Sequence, residues 1–121
     1  MATRSNIGIL NSDGTVDYIY CHWDGYVDYN GRILMENYND EASAWALIAA
    51  GDMSVLGTTL SDCKFYGGKD EESKRCSYVD FTKEHFEEYV YLFTPGKGWE
   101  VRAYGTNYWA DVKKALETIE I

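Results

Sequence analysis

The stretch Tyr18-Ile19-Tyr20-Cys21-His22-Trp23-Asp24-Gly25-Tyr26 decides how the chain is read. Its first four residues continue the alternation begun at Thr15, with Val16, Tyr18 and Tyr20 on one face and Asp17, Ile19 and Cys21 on the other, the period of a β-strand. His22-Trp23-Asp24-Gly25 then breaks the strand and gathers an imidazole, an indole and a carboxylate at its exit. Upstream, Ser5–Leu10 reads as a strand with Ile7 and Ile9 on one face, and Asn11-Ser12-Asp13-Gly14 is turn chemistry. These segments predict an N-terminal hairpin whose second strand leaves the sheet at His22.

Downstream, Tyr26–Gly31 reads as a loop with aromatic anchors, followed by a short helix over Arg32–Tyr38 that buries Ile33, Leu34 and Tyr38. Asn39-Asp40 stops it and caps a second helix, whose apolar face is read as Ala42, Trp45, Ala46, Ile48 and Ala49, with Gly51 as its stop. Residues 52–60 read as a connector with Val55 and Leu56 plugging the core, and Cys63–Tyr66 as a strand that pairs with 76–81. Gly67–Lys74 reads as flexible, and Thr82 as the cap of a helical turn reaching Glu87. Glu88–Thr94 and Trp99–Tyr104 form a second hairpin around Pro95-Gly96-Lys97-Gly98. Trp109, Val112, Leu116 and Ile119 recur at helical spacing, which predicts a closing helix over 108–119, capped by Asn107. The expected fold is a single α+β domain: an antiparallel sheet built from hairpins, a central helical pair and a C-terminal amphipathic helix packed on the sheet.

Composition narrows the function classes. With 121 residues and 45% hydrophobic content the chain can bury a core without metal or disulfide staples. The formal charge is −9, and the first sixty residues carry eight acids against only Arg4 and Arg32. Binding to nucleic acid or to anionic membrane requires Lys and Arg to meet phosphates, so both are read as excluded. An acidic face suits instead a basic protein surface, including one built for DNA or RNA. No apolar run approaches a membrane span and the N-terminus lacks a signal core, so a cytoplasmic location is expected. Cys21, Cys63 and Cys76 are odd in number and far apart, in keeping with reduced thiols.

Several constellations could carry chemistry. Cys21, His22, Asp24, Cys63, Cys76 and His85 are metal-ligand types, but adjacent Cys21 and His22 point to opposite faces of a strand, so no metal and no cofactor is expected. Pairing of Cys76 or Cys21 with His85 could make a thiolate nucleophile. His22 as general base with Asp24 defines a small-hydrolase alternative. The plainer reading has His22 and Asp24 bonded to each other across the turn, with Trp23 filling the core. Trp23 and Tyr26 could stack a nucleotide whose phosphates meet Arg32. Asp13, Asp17, Asp24, Asp28, Glu36, Asp40 and Glu41 could align as an acidic partner surface.

The pattern Arg4-Ser5-x-Ile7-Gly8, Asp13-Gly14, Ile19-Tyr20-x-His22-Trp23-Asp24-Gly25-Tyr26, continued by Gly31-x-x-Leu34, Tyr38 and Gly51-Asp52-x-Ser54-x-Leu56-Gly57, resembles a family of small bacteriophage and prophage proteins. The resemblance covers the first half closely; the second half shares only Tyr89–Phe93, a turn and Trp99, and relatives often carry an Arg-rich stretch where this chain has Gly67–Arg75. It implies a phage setting and the host cytoplasm. In that setting the expectation is a non-catalytic accessory protein that inhibits a host or anti-phage defence factor, often a nucleic-acid-binding one, by stoichiometric binding, as an anti-CRISPR-like inhibitor or nucleic-acid mimic does. The alternative is a sponge for a nucleotide-derived immune signal. The binding residues expected are His22, Trp23, Asp24, Tyr26, Asp28, Arg32 and Glu36, and a homodimer is compatible with either reading.

Overall fold

A computed structural model describes residues 3–68, 71–83, 87–103, 106 and 108–119. The strands are β1 (Ser5–Leu10), β2 (Thr15–Cys21), β3 (Met53–Val55), β4 (Lys64–Phe65), β5 (Lys74–Ser77), β6 (Tyr89–Thr94), β7 (Gly98–Ala103) and β8 (Ala110–Asp111). The helices are α1 (Arg32–Asn37), α2 (Glu41–Ala49), α3 (Tyr78–Lys83) and α4 (Val112–Ile119). The strands form one sheet in the order β4-β3-β2-β1-β6-β7-β8, with β5 lying against the first half of β2. The fold class is α+β.

Both predicted hairpins are present. β1 pairs antiparallel with β2 in the register Ile7↔Ile19, and β6 with β7 in the register Tyr91↔Val101. Their turns use Gly14 at φ 87° and Gly96 at φ 83°, conformations that L-residues with a Cβ rarely adopt. The hairpins meet through β1 and β6, which run parallel, as do β2 and β3 at Cys21↔Met53, so the sheet is mixed. A parallel neighbour needs a long crossover, and for β2–β3 the helical pair α1–α2 supplies it.

Alternation sorts the strand residues onto two covered faces. Ile7, Ile9, Ile19, Cys21, Tyr91, Phe93, Trp99 and Val101 pack against Leu34, Tyr38, Ala44, Leu47, Ile48, Val112 and Leu116 from α1, α2 and α4. On the reverse face a smaller cluster joins Val16, Val90 and Leu92 to Phe81 of α3 and to Trp109. Gly8 leaves the room for Phe81: a Cβ there would lie 2.8 Å from Val16 Cγ1 and 2.9 Å from Phe81 Cζ.

The structure corrects several expectations. α2 buries Ala44, Leu47 and Ile48, whereas Ala42, Trp45, Ala46 and Ala49 are exposed. The helix is apolar nearly all round, so its sequence does not mark the buried side. Residues 27–31 form a wide helical turn of the π type in place of a loop, and the expected connector contains β3. The 76–81 segment does not pair with β4: β5 pairs with β2, and Tyr78 already starts α3. Ser77 Oγ, not Thr82, receives an amide at the start of that helix, from Asp80. α4 begins at Val112, because Ala110 and Asp111 are used to pair with β7. Trp109 turns to the reverse face, where it stacks on Phe81 and lies under the Arg102 guanidinium. His85, Tyr104, Asn107, the Lys69-Asp70 part of the predicted flexible segment and the side chain of Ile119 lie outside the described residues.

Candidate functional site

The exit of β2 is a corner fixed by its backbone. Two amides follow β3, His22 N donating to Met53 O (3.1 Å) and Trp23 N to Ser54 O (2.9 Å). Asp24 then adopts φ 59°, the left-handed region, where a short polar side chain is tolerated best after glycine. Gly25 donates to Thr3 O at 2.8 Å, and a Cβ at Gly25 would stand 2.8 Å from that same oxygen, so only glycine fits without movement. Its carbonyl receives the Tyr91 hydroxyl at 2.6 Å. Burial pushes the Tyr91 phenol well above its ordinary value, which keeps it a donor.

Asn30 closes the corner from beneath. It is fully buried, and its amide nitrogen donates to Trp23 O (3.2 Å) and reaches Cys21 Sγ (3.5 Å) and Ser5 Oγ (3.4 Å). The Asn30 N–H donates to Asp24 O at 3.2 Å. Asp52 braces the strand just before the corner. β5 covers the outer edge of β2 as far as Tyr18, and β3 meets it only at Cys21. Between them the Tyr20 amide is satisfied by Asp52 Oδ1 at 2.8 Å, a carboxylate standing in for a missing strand.

On this frame the side chains face outward. Trp23 is 43% exposed, Tyr26 38% and Tyr29 40%, three large aromatic side chains at the surface within seven residues of sequence. Trp23 therefore does not fill the core, as expected from its hydrophobicity; Asn30 and Tyr91 take the anchoring role. His22 meets the Trp23 ring edge-on at 4.9 Å between centroids, and its Nδ1 lies 2.6 Å from Tyr20 Oη. Asp24 Oδ1 accepts from Tyr26 Oη at 3.0 Å, and Tyr26 meets Tyr29 edge-on at 6.3 Å. The expected bond between His22 and Asp24 is absent: each engages its own tyrosine. Asp28 and Glu36 are exposed and Arg32 is half-buried, with Arg32 and Glu36 one helical turn apart on α1.

The geometry does not assemble the other chemistries. His22 and Asp24 do not touch, so the acid–base pair of a hydrolase is not formed. Burial pushes the Cys21 thiol up to about 11, away from a thiolate. Among the described residues no group of three His, Cys, Asp or Glu side chains is placed to hold a metal ion. Three grooves of about 630, 400 and 160 Å³ open near the hairpin turns, and none of them is lined by Trp23, Tyr26 or Arg32. Of the seven acids read as a partner surface, Asp17 is lost to it: Asp17 is buried and accepts from Arg75 Nε at 2.7 Å and Nη2 at 3.0 Å. Asp13 braces the first turn through Thr15, and Asp40 caps α2 through the Ser43 amide. Asp24 and Asp28 lie in the same stretch as the exposed aromatics, and Glu36 is exposed on α1.

Tyr29, Asn30, Asp52 and Tyr91 were not legible as parts of the site. Asn30-Gly31 reads as ordinary turn chemistry, and Tyr91 comes from a strand 66 residues distant from its acceptor.

What the fold defines is a small α+β protein with an exposed aromatic and acidic corner at the exit of β2. No family model, no curated protein and no solved structure matches the chain. Among the described residues no helix is long and apolar enough to cross a membrane.

Proposed function

We propose that this chain is a non-catalytic binding protein of phage type, acting in the host cytoplasm, that inhibits a host or defence factor by occupying a basic surface on it. The observation that carries the reading is the corner itself: Trp23, Tyr26 and Tyr29 exposed beside Asp24, on a backbone fixed by Gly25, Asn30 and Tyr91. Aromatic faces next to carboxylates suit arginine, whose planar guanidinium stacks on rings and donates to carboxylates at once. Rigid aromatic anchors also lose little entropy on binding. Arginine-rich surfaces are what nucleic-acid-binding defence complexes present, and the net charge of −9 favours encounter with them. The resemblance to small phage proteins gives the setting.

The test is co-elution of the purified chain with candidate nucleic-acid-binding defence complexes on size exclusion. A stoichiometric complex is expected, weakened by added salt, by Tyr26→Ala and by the double charge reversal Asp28→Lys with Glu36→Lys. Binding untouched by all of these would remove the corner from the interface.

A further inference from the structure

The largest groove lies at the hairpin-turn end of the sheet, at the opposite end of β2 from the corner. β1 and β6 run parallel and pair Ile9↔Phe93, so both leave the sheet there side by side. Leu10 and Ser12 line the groove from one turn, Thr94 and Pro95 from the other, and Glu41 and Trp45 from α2. Its volume, about 630 Å³, is that of a small-molecule site. The walls are braced from behind. Asn11, also in the wall, donates through its amide nitrogen to Thr15 Oγ1 and Asp17 Oδ2, both at 3.0 Å. Lys97 N closes the other turn on Thr94 O at 2.9 Å, and Asp40 Oδ1 caps α2 through the Ser43 amide at 2.7 Å.

We infer that this groove binds a small organic cation, an ammonium group carried on an apolar body, at a site separate from the aromatic corner. Glu41 and Trp45 are four residues apart on α2, so their side chains lie one above the other on the same side of the helix. Glu41 is the one ionisable side chain among the lining residues. Among the described residues nothing bonds to its carboxylate or to the Trp45 indole N–H, and Trp45 is 37% exposed. A carboxylate beside an accessible indole meets a cation twice, as a counter-charge and through the ring quadrupole. Leu10 and Pro95 offer apolar surface to the body of the ligand. The hydroxyls of Ser12 and Thr94 are acceptors for further N–H groups of a primary ammonium. No Lys or Arg lines the groove to receive an anion. Lys97 borders a different groove, shared with Asp40 and Glu41, and is paired with Glu100 at 3.3 Å. The net charge of −9 raises the local concentration of cations and lowers that of anions.

The test follows the amide and indole N–H signals of the full chain by NMR while phenethylammonium is added. Phenethyl alcohol and hydrocinnamate serve as neutral and anionic probes of similar size. The Trp45 indole and the Ser12 and Thr94 amides should shift together, with a Kd on the order of 1 mM for so small a probe. The alcohol and the carboxylate should bind at least about fivefold more weakly. Glu41→Gln should weaken the ammonium about fivefold, about 1 kcal/mol, and Trp45→Leu should weaken it too, read at the Ser12 and Thr94 amides. Tyr26→Ala should leave the groove titration within about twofold of wild type, so that this inference and the function proposed for the corner fail separately. All three substituted positions are exposed, and circular dichroism verifies the fold of each variant. The inference is overturned if the three reporters stay still at about ten times that concentration, or if the alcohol or the carboxylate binds as well as the ammonium. Unchanged affinity in Glu41→Gln, or shifts confined to Trp23 and its neighbours, would overturn it equally.

Discussion

Replacing Tyr91 by phenylalanine removes one oxygen and tests how the corner is held. The Tyr91 side chain is fully buried, and its hydroxyl donates to the Gly25 carbonyl at 2.6 Å. Gly25 is itself buried, so water has no ready access to the carbonyl once the donor is gone. The ring remains and its apolar contacts are kept; the loss is one buried hydrogen bond and the desolvation of the acceptor left behind. Such a deletion costs about 1–3 kcal/mol. For a chain of this size each kcal/mol moves the melting temperature by about 4 °C, so a drop of about 4–12 °C is expected. The effect should also be local. Gly25 N–H, bonded to Thr3 O, and Asn30 N–H, bonded to Asp24 O, should exchange with deuterium faster in the variant, because both amides depend on the corner's backbone. Tyr89→Phe, on the same strand but only half-buried, is the control and should stay within about 0.5 kcal/mol. If Tyr91→Phe costs no more than Tyr89→Phe and leaves Gly25 exchange unchanged, the Gly25–Tyr91 bond does not fix the corner and the pre-organisation argument fails.

Four further outcomes follow from the same contacts. Asp52→Ala should destabilise by about 1–3 kcal/mol by orphaning the Tyr20 amide, measured by urea unfolding, with faster exchange at that amide. Gly8→Ala should cost about 1–3 kcal/mol through overpacking against Val16 and Phe81, with a changed near-ultraviolet spectrum as Phe81 and Trp109 are displaced. Because Asp24 sits at φ 59°, Asp24→Gly should be more stable than Asp24→Ala by about 1 kcal/mol in thermal unfolding, although both lose the bond to Tyr26. The Arg75 guanidinium beside Asp17 holds its carboxyl below the usual range. A lowered folded pKa gives stability that is present above the unfolded value, about 3.9, and is lost as pH falls through the folded one. Acid titration of stability should therefore show an acid-side loss that Asp17→Asn flattens.

The two hairpins and their registers were readable because period-two alternation and Asp-Gly or Pro-Gly turns are local signals, and the Asp40 cap of α2 was readable for the same reason. The parallel join of β1 to β6 was not, since it links strands some eighty residues apart and leaves no local mark. Tyr78-Val79-Asp80-Phe81 alternates like a strand, yet Ser77 caps it as a helix and the pocket beside Gly8 takes Phe81. The density of His22, Trp23, Asp24 and Tyr26 marked the corner as a place of interest. The direction of Trp23 could not be read, because an indole's hydrophobicity argues for the core, whereas the interior of the corner is taken by Asn30 and Tyr91. Both side chains donate to backbone carbonyls of the corner, Asn30 to Trp23 O and Tyr91 to Gly25 O, and hydropathy does not record such bonds.

The most direct test of the recognition role proposed for the corner follows the indole N–H signals of Trp23, Trp45, Trp99 and Trp109 by NMR while a short oligoarginine peptide is added. Trp23 and the rings of Tyr26 and Tyr29 should shift together, less so as salt rises, with Trp99, whose indole is bonded to Tyr38 O at 2.9 Å, unmoved. Shifts confined to Trp45, or none at any indole, would contradict the account.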